Sequence, residues 1–238
     1  MESPPRGIGG KDVILGILGE LKRNTVAAER LVEYTGPGLK YLTSDARFAI
    51  ANMTTEFGWI GACVIPDAMT AEFVSSRKNP KYRKGGVYFR PDEDAEYAAS
   101  YDIDLSKIET LVALFPSPDN VKPISQVHLD LDGCFIGACT TSEEDIILAG
   151  LVVQECLKRG LKPVQRGTRR ITPGYVPITK RLRELGILDA FLEAGFVVGA
   201  PGCSYCVGMG ADQAGEGEVW LSSQNRNFRD RMGKGIDP

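Results

Sequence analysis

At 238 residues the chain is long enough for one large domain or two modest ones with a real core. A net charge of −3, from 28 Lys and Arg against 31 Asp and Glu, gives no overall basic footprint for nucleic acid. No apolar run reaches the roughly 18 residues of a membrane span, so neither nucleic acid nor membrane is expected as a partner.

Six cysteines in a chain of this size do not read as a disulfide framework. Met1–Arg6 lacks the apolar stretch of a signal peptide. A reducing intracellular compartment follows, the cytoplasm by default with the mitochondrion left open.

In chain order, Asp12 to Lys22 carries Val13, Ile14, Ile17, Leu18 and Leu21, the stripe of an amphipathic helix. Ser44 to Gly58 reads as a second helix, with Ile50, Met53 and Phe57 on one face, and Ile60 to Ile65 as a strand. Ser75 to Tyr88 reads as an irregular, solvated excursion whose charges are Arg77, Lys78, Lys81, Arg83 and Lys84. Asp92 to Ser100 is expected to be helical and Leu111 to Phe115 a strand, with Pro116–Asn120 as the domain boundary. That gives an expected division into 1–120 and 121–238.

Beyond it, Cys134 to Ala138 is an apolar run that reads as a buried strand. Ser142 with Glu143, Glu144 and Asp145 is an N-cap followed by an acidic first turn, and Ile146 to Cys156 continues as an apolar helix. A strand near Lys162 to Gln165, a helix from Ile178 to Leu185 and a strand over Phe196 to Ala200 complete the alternation. Such alternation predicts an α/β fold with parallel sheets in a three-layer α/β/α arrangement and functional groups at the carboxyl ends of strands. Cys63, Cys134 and Cys156 lie in apolar stretches and are expected to be buried structural thiols.

Cys139 stands at a strand-to-helix turn, near the positive end of a helix dipole, which favours an anionic ligand. Cys203 and Cys206 follow the last strand after a Pro201–Gly202 turn, and Gly202, Gly208 and Gly210 let backbone approach a bulky group closely. A lone Cys-x-x-Cys also serves zinc and redox sites, so those readings stay open for the pair alone. Asn52 and Glu56 are one helical turn apart, which directs both side chains one way. Arg226 and Arg231 are interleaved with Asn225 and Asn227 close to the C-terminus.

Four segments, in order, resemble the motifs of the aconitase superfamily, which includes aconitase, homoaconitase and the large subunit of isopropylmalate dehydratase. Asn52-Met53-Thr54-Thr55-Glu56-Phe57-Gly58 is similar to its Asn-Met-x-x-Glu-x-Gly segment. Gly137-Ala138-Cys139-Thr140-Thr141 is similar to its Gly-Ser-Cys-Thr-Asn motif. Pro201-Gly202-Cys203-Ser204-Tyr205-Cys206 and Asn225-Arg226-Asn227-Phe228-Arg229-Asp230-Arg231 match its Pro-Gly-Cys-x-x-Cys and Asn-Arg-Asn-Phe-x-x-Arg motifs. Gly10–Leu15 and Val32–Gly38 fit the region around the first motif.

The resemblance implies two aconitase-like subdomains. It also implies a [4Fe-4S] cluster on Cys139, Cys203 and Cys206, with one iron not ligated by cysteine. Electron-transfer clusters usually take four cysteines, whereas an open metal position suits Lewis-acid chemistry. Arg226, Arg231 and Asn225 become substrate-binding residues, the guanidinium forks matching carboxylates. Asn52 and Glu56 become partners of the iron-bound oxygen, with Glu56 able to exchange a proton. The implied activity is that of a hydro-lyase, a dehydratase or isomerase acting on a small hydroxy-di- or tricarboxylic acid.

The departures from the family pattern are equally specific. Family members carry an N-terminal domain with several histidines, and this chain has a single histidine, His128, outside every motif. The family's serine base comes from a swivel domain, fused or as a small subunit, and no stretch here resembles it. The resemblance therefore implies a small-subunit partner and an N-terminal-domain partner that complete the site. A non-catalytic paralogue acting as a binding module is the alternative. Ala138 and Thr141 replace serine and asparagine, an expected loss of two polar groups near the cluster. Asp230 replaces a glycine beside the carboxylate clamp.

Overall fold

The first helix forms where the apolar stripe places it. In the computed structural model α1 spans Gly10–Leu21 and buries Val13, Ile14, Ile17 and Leu18, while the Asp12 carboxylate caps its start by accepting from the Gly9 amide at 3.0 Å. The structure describes residues 3–26, 28–76, 86–164, 166–208 and 212–233. Arg77, Lys78, Lys81, Arg83, Lys84 and Gly210 lie outside them. The chain divides into two units, Met1–Thr110 and Leu111–Pro238.

In the first unit, β1 (Leu31–Tyr34) pairs in parallel with β2 (Gly61–Val64). Between them α2 (Ser44–Met53) starts at Thr43, whose hydroxyl accepts from the Ala46 amide at 3.1 Å. It then tightens into a 3-10 turn over Thr54–Phe57. Phe57 is fully buried and stacks on Trp59 with ring centroids 4.1 Å apart. Then α3 (Ala68–Ser75) starts on Asp67, a helix that its mixed sequence hides. The carboxylate of Asp67 also takes a bidentate pair from the buried Arg47, at 2.6 and 2.8 Å. That pair holds the Asp67 carboxyl well below its ordinary range. The Tyr34 hydroxyl shares a 2.9 Å hydrogen bond with Thr54, and burial pushes its pKa up to about 12.

Two expectations fail here. Residues 92–100 are exposed throughout and not helical. They offer no apolar stripe, and a short helix without a packed face does not sustain itself. Cys63 is exposed rather than buried, because an apolar stretch does not by itself bring cover to the face of β2 that it occupies.

The second unit opens with a hairpin, β3 (Leu111–Ala113) against β4 (Val121–Pro123). Pro116–Asn120 is therefore its turn, and the division between units lies before it, at Thr110. The proline and asparagine that read as a linker are also what a tight turn requires.

Then comes a parallel sheet of four strands in the order β7-β6-β5-β8: β5 (Gly133–Gly137), β6 (Thr168–Thr172), β7 (Val197–Val198) and β8 (Trp220–Ser222). Helices α4 (Glu143–Lys158), α5 (Val176–Glu184) and α6 (Ile187–Glu193) connect the first three strands. The capping box expected at Ser142 is present, its hydroxyl accepting from the Asp145 amide at 3.2 Å while that carboxylate accepts from the Ser142 amide.

Side chains of β5 alternate. Cys134 and Ile136 meet the helical layer with Ile146, Leu182 and Phe191. Phe135 packs on the other face against Tyr205, Trp220 and Met232. The second face is thus covered by the segment that returns through residues 203–232. Cys134 and Cys156 are half-buried.

The strand expected near Lys162–Gln165 does not form over 162–164, and residue 165 is not described. Pro163 lacks an amide for the ladder, and Val164 is largely exposed. The central strand β6 begins instead at Thr168, where Gly167 turns with a φ of 73°. Its sequence, Thr-Arg-Arg-Ile-Thr, hides it from a hydrophobicity reading. The α/β class expected from the alternation is otherwise what forms, but the four-stranded sheet has helices on one face and the returning segment on the other, not the expected helices on both.

Candidate functional site

Three motif segments leave the carboxyl ends of strands in one parallel sheet. Cys139 follows β5, Cys203 and Cys206 follow β7, and Asn225–Arg231 follows β8. From β5 the chain crosses to β6 on one side, while β8 lies on the other. The C-terminal edge between β5 and β8 is thus a topological switch point, where open α/β sheets bind ligands.

The Cys139 turn is tight. Gly137 has a φ of 152°, and a side chain there would meet the Thr172 carbonyl oxygen at 2.2 Å. Ala138 follows with a φ of 69°, uncommon for a residue with a Cβ. Its amide donates to the Thr172 carbonyl at 3.1 Å, which ties the turn to β6.

Thr141 contradicts the expected loss of polarity. Its buried hydroxyl donates to the Gly137 carbonyl at 2.6 Å and shares a 2.7 Å hydrogen bond with Ser223. Ser223 in turn accepts from the Gly137 amide at 2.9 Å. Threonine thus ties the cysteine turn to the segment that leads into Asn225. The Ala138 position, fully buried, does lose its polar group.

In the second loop Cys203 is helical, Ser204 has a φ of 47°, and Ser204–Cys206 forms a 3-10 turn. A helical residue followed by one of positive φ points successive amides into one concavity, a nest of the kind found at iron–sulfur sites. Gly208 lets this loop lie against the arginine segment, since a Cβ there would meet the Arg231 carbonyl oxygen at 2.4 Å.

Cys139 and Cys203 are exposed, and Cys206 is buried. Burial pushes the Cys206 thiol up, Arg231 pulls against it, and the adjacent Cys139 and Cys203 add to the upward push. The three thiols are thus electrostatic neighbours. Among the described residues no three His, Cys, Asp or Glu side chains form a single-ion site. Thiolates on three separate corners of a cluster have no need to converge on one point.

The arginine motif is fixed at both ends. Asn227 donates through Nδ2 to the Ala113 carbonyl at 3.1 Å and the Ser117 carbonyl at 3.4 Å. Arg231 donates through Nη2 to the Cys206 sulfur at 3.7 Å. Asn225 is buried and Arg226 half-buried. Asp230 adopts a φ of 59°, which explains the family's glycine at this position, and its side chain is exposed.

Several buried polar atoms around these strand ends have no hydrogen-bond partner among the described residues: Thr172 Oγ1, both amide atoms of Gln224, Asn227 Oδ1 and Arg231 Nε. Buried polar groups are normally paired, so this set fits a site that receives a polar ligand. Together with the thiol donor set it fits an iron–sulfur cluster and an oxygen-rich acid.

In the first unit Asn52 is exposed on the last turn of α2, whereas Glu56 is buried. The shared face expected from their spacing is lost where the helix tightens into the 3-10 turn. Arg23 braces this turn by donating to the Glu56 carbonyl at 2.9 Å. His128 is exposed.

Sequence reasoning missed Arg170, Asp212, Ser223 and Gln224. Their roles depend on neighbours distant along the chain. Gln224 alone carried a local signal, as the residue before the Asn-Arg-Asn motif.

The family model described as the aconitase family (aconitate hydratase) matches residues 2–130 and 125–237. The chain is 57% identical to the aconitase htyD of Aspergillus rugulosus, over 96% of its own length and 26% of that protein. It is 55% identical to the 3-isopropylmalate dehydratase large subunit gloJ of Glarea lozoyensis, over 96% and 26%. Against the 3-isopropylmalate dehydratase large subunit of Geobacter metallireducens the figures are 35%, 97% and 55%. The chain thus spans from about a quarter to about half the length of these relatives.

Proposed function

The chain belongs to the aconitase family, and from that premise we propose that it is the cluster-bearing part of a hydro-lyase acting on a small hydroxy-di- or tricarboxylic acid. The observation that carries this reading is the meeting of two cysteine loops and the Asn225–Arg231 segment at the carboxyl ends of β5, β7 and β8. Relatives named as a dehydratase large subunit support a second polypeptide in the working enzyme. That partner would be a swivel-type small subunit, with a further N-terminal domain as the other missing part.

Cys139, Cys203 and Cys206 would hold a [4Fe-4S] cluster with one iron free of cysteine. When bound, it supplies Lewis-acid polarisation of a substrate hydroxyl. The protein's own part is positional. Arg226 offers a planar fork for one carboxylate. Arg231, with Nη2 on Cys206 and Nε buried without a partner among the described residues, would take a second carboxylate while remaining tied to a cluster ligand. Held by both arginines, the acid is restrained in rotation, which lowers the barrier before any bond changes.

Asn225 is a further hydrogen-bonding group beside the cluster. By the resemblance of their motif, Glu56 is proposed as a proton-exchanging group and Asn52 as a hydrogen-bonding group of the same reaction, the one buried and the other exposed. The base that removes the carbon-bound proton comes from the small subunit. Loss of hydroxyl and proton from adjacent carbons gives an unsaturated acid. Re-addition in the opposite sense makes the same site an isomerase.

The test is an anaerobic assay of the iron- and sulfide-loaded chain mixed with small subunits and with N-terminal domains of the isopropylmalate dehydratase type. Citrate-like and isopropylmalate-like acids are supplied, and the unsaturated product is followed by ultraviolet absorbance. Turnover with one acid, abolished by Arg226→Ala, is the expected result. Stable loading without turnover on any acid or partner would support the binding-module alternative.

A further inference from the structure

We propose that Arg170 and Asp212 form a clip that holds the Cys203–Cys206 turn in its ligand-binding conformation, making both of them positioning residues for the cluster. The inference rests on the reading of these cysteines as cluster ligands.

The turn needs an external restraint. Ser204, a residue with a Cβ, sits at a φ of 47°, a conformation that non-glycine residues adopt at a cost. Asp212 Oδ2 accepts from Ser204 Oγ at 2.9 Å and from Arg170 Nη2 at 2.9 Å. The Arg170 guanidinium also lies over the Tyr205 ring, 5.9 Å from its centroid. One ion pair thus engages both residues between the cysteines, Ser204 through Asp212 and Tyr205 through Arg170.

Arg170 is well placed to act as an anchor. It stands on β6, which is flanked by β5 and β7, the two strands that lead into the cysteine loops. The side chains of the pair are only 21% and 28% exposed, so salt screens them less than a surface pair. Below them Tyr205 packs at 5.7 Å from Phe135 and 4.7 Å from Trp220, centroid to centroid. The loop is therefore held from above by charge and from below by aromatic packing. Outer partners of this kind orient metal ligands and are felt in metal retention.

The experiment alkylates the cluster-free full chain with a neutral reagent, iodoacetamide, and reads each cysteine by mass spectrometry. In the wild type the buried Cys206 reacts far more slowly than the exposed Cys139 and Cys203. In Asp212→Ala the Cys206 rate is expected to rise roughly tenfold, equivalent to about 1.4 kcal/mol in a local opening equilibrium. Half-buried Cys134, packed under the helices on the opposite face of the sheet, should keep its wild-type rate. Asp212→Glu should restore protection, and Asp212→Asn, which keeps an acceptor for Ser204, should restore part of it. After anaerobic loading, Asp212→Ala should also release its cluster faster than wild type.

An unchanged Cys206 rate in folded Asp212→Ala overturns the proposal, as does a parallel rise at Cys134, which marks global loosening. If Asp212→Ala does not fold, Ser204→Ala is measured in the same way, and an unchanged Cys206 rate there overturns it. The alkylation arm needs no cluster. Failure of the wild type to load iron would sink the proposed function while leaving the clip to be judged by Cys206 alone.

Discussion

Two sets of buried polar groups, one in each unit, are treated in opposite ways, although Trp59 Nε1 in the first unit also lacks a partner among the described residues. In the first, Arg47 is paired with Asp67 and with the Leu39 and Leu42 carbonyls, and Tyr34 is paired with Thr54. In the second, around the carboxyl ends of β6 and β8, Thr172, Gln224, Asn227 and Arg231 each bury a polar atom without a partner among the described residues. A closed network stabilises the fold, whereas an open set costs stability until a ligand closes it. The contrast separates the polar groups that brace the first unit from an open set in the second that, on the proposed function, a ligand would close.

The largest effect should come from removing the apolar floor under the cysteine loops. Phe135 is fully buried between β5 and the returning segment. Phe135→Ala should cost about 3–5 kcal/mol, read by chemical denaturation.

Asp67→Ala breaks the closed network of the first unit and leaves Arg47 buried without its charge partner. It should cost about 2–3 kcal/mol, below the fully buried range because Asp67 is partly exposed. The acid limb gives a second reading. Because Arg47 holds the folded-state carboxyl of Asp67 below its unfolded value, the stabilisation is complete above the unfolded pKa. It is lost as pH falls below about 4 towards the folded value. The stability of Asp67→Ala should therefore fall less steeply than wild type over that acid range.

Thr141→Val keeps the shape and removes the hydroxyl bound to Gly137 and Ser223. It should cost about 1–2 kcal/mol. A change within experimental error would mean that Thr141 does not brace the cysteine turn.

The smallest effect sharpens the contrast most, because its sign is inverted. Gln224→Met replaces an unpartnered buried amide with an apolar side chain. It should leave the cluster-free chain unchanged or stabilise it by about 1 kcal/mol, while weakening retention of cluster or acid. Destabilisation of the cluster-free chain would show that Gln224 belongs to a closed network after all.

How much was legible in the sequence follows the same division. The α1 stripe, the Ser142 cap and the apolar run into Cys139 are local signals, and each marked a real element. The apolar runs before them placed Cys139, Cys203 and Cys206 at strand ends, whereas β8, which leads into Asn225–Arg231, was not anticipated. By contrast, β6 was invisible because two arginines occupy it, one of them serving Asp212 across 42 positions of chain. The Asn52–Glu56 pair was misjudged because a helix-period argument does not survive a change to 3-10 geometry. Thr141 read as a lost polar group because its partner Ser223 lies 82 residues away.

Whether Cys139, Cys203 and Cys206 hold a cluster with one open iron is decided by anaerobic reconstitution with iron and sulfide, followed by absorbance and electron paramagnetic resonance, in wild type and Cys139→Ala. The expected result is a cluster that interconverts between three-iron and four-iron forms in the wild type and is absent from the variant. A folded wild type that binds no cluster, or a variant that binds as much as the wild type, would contradict it.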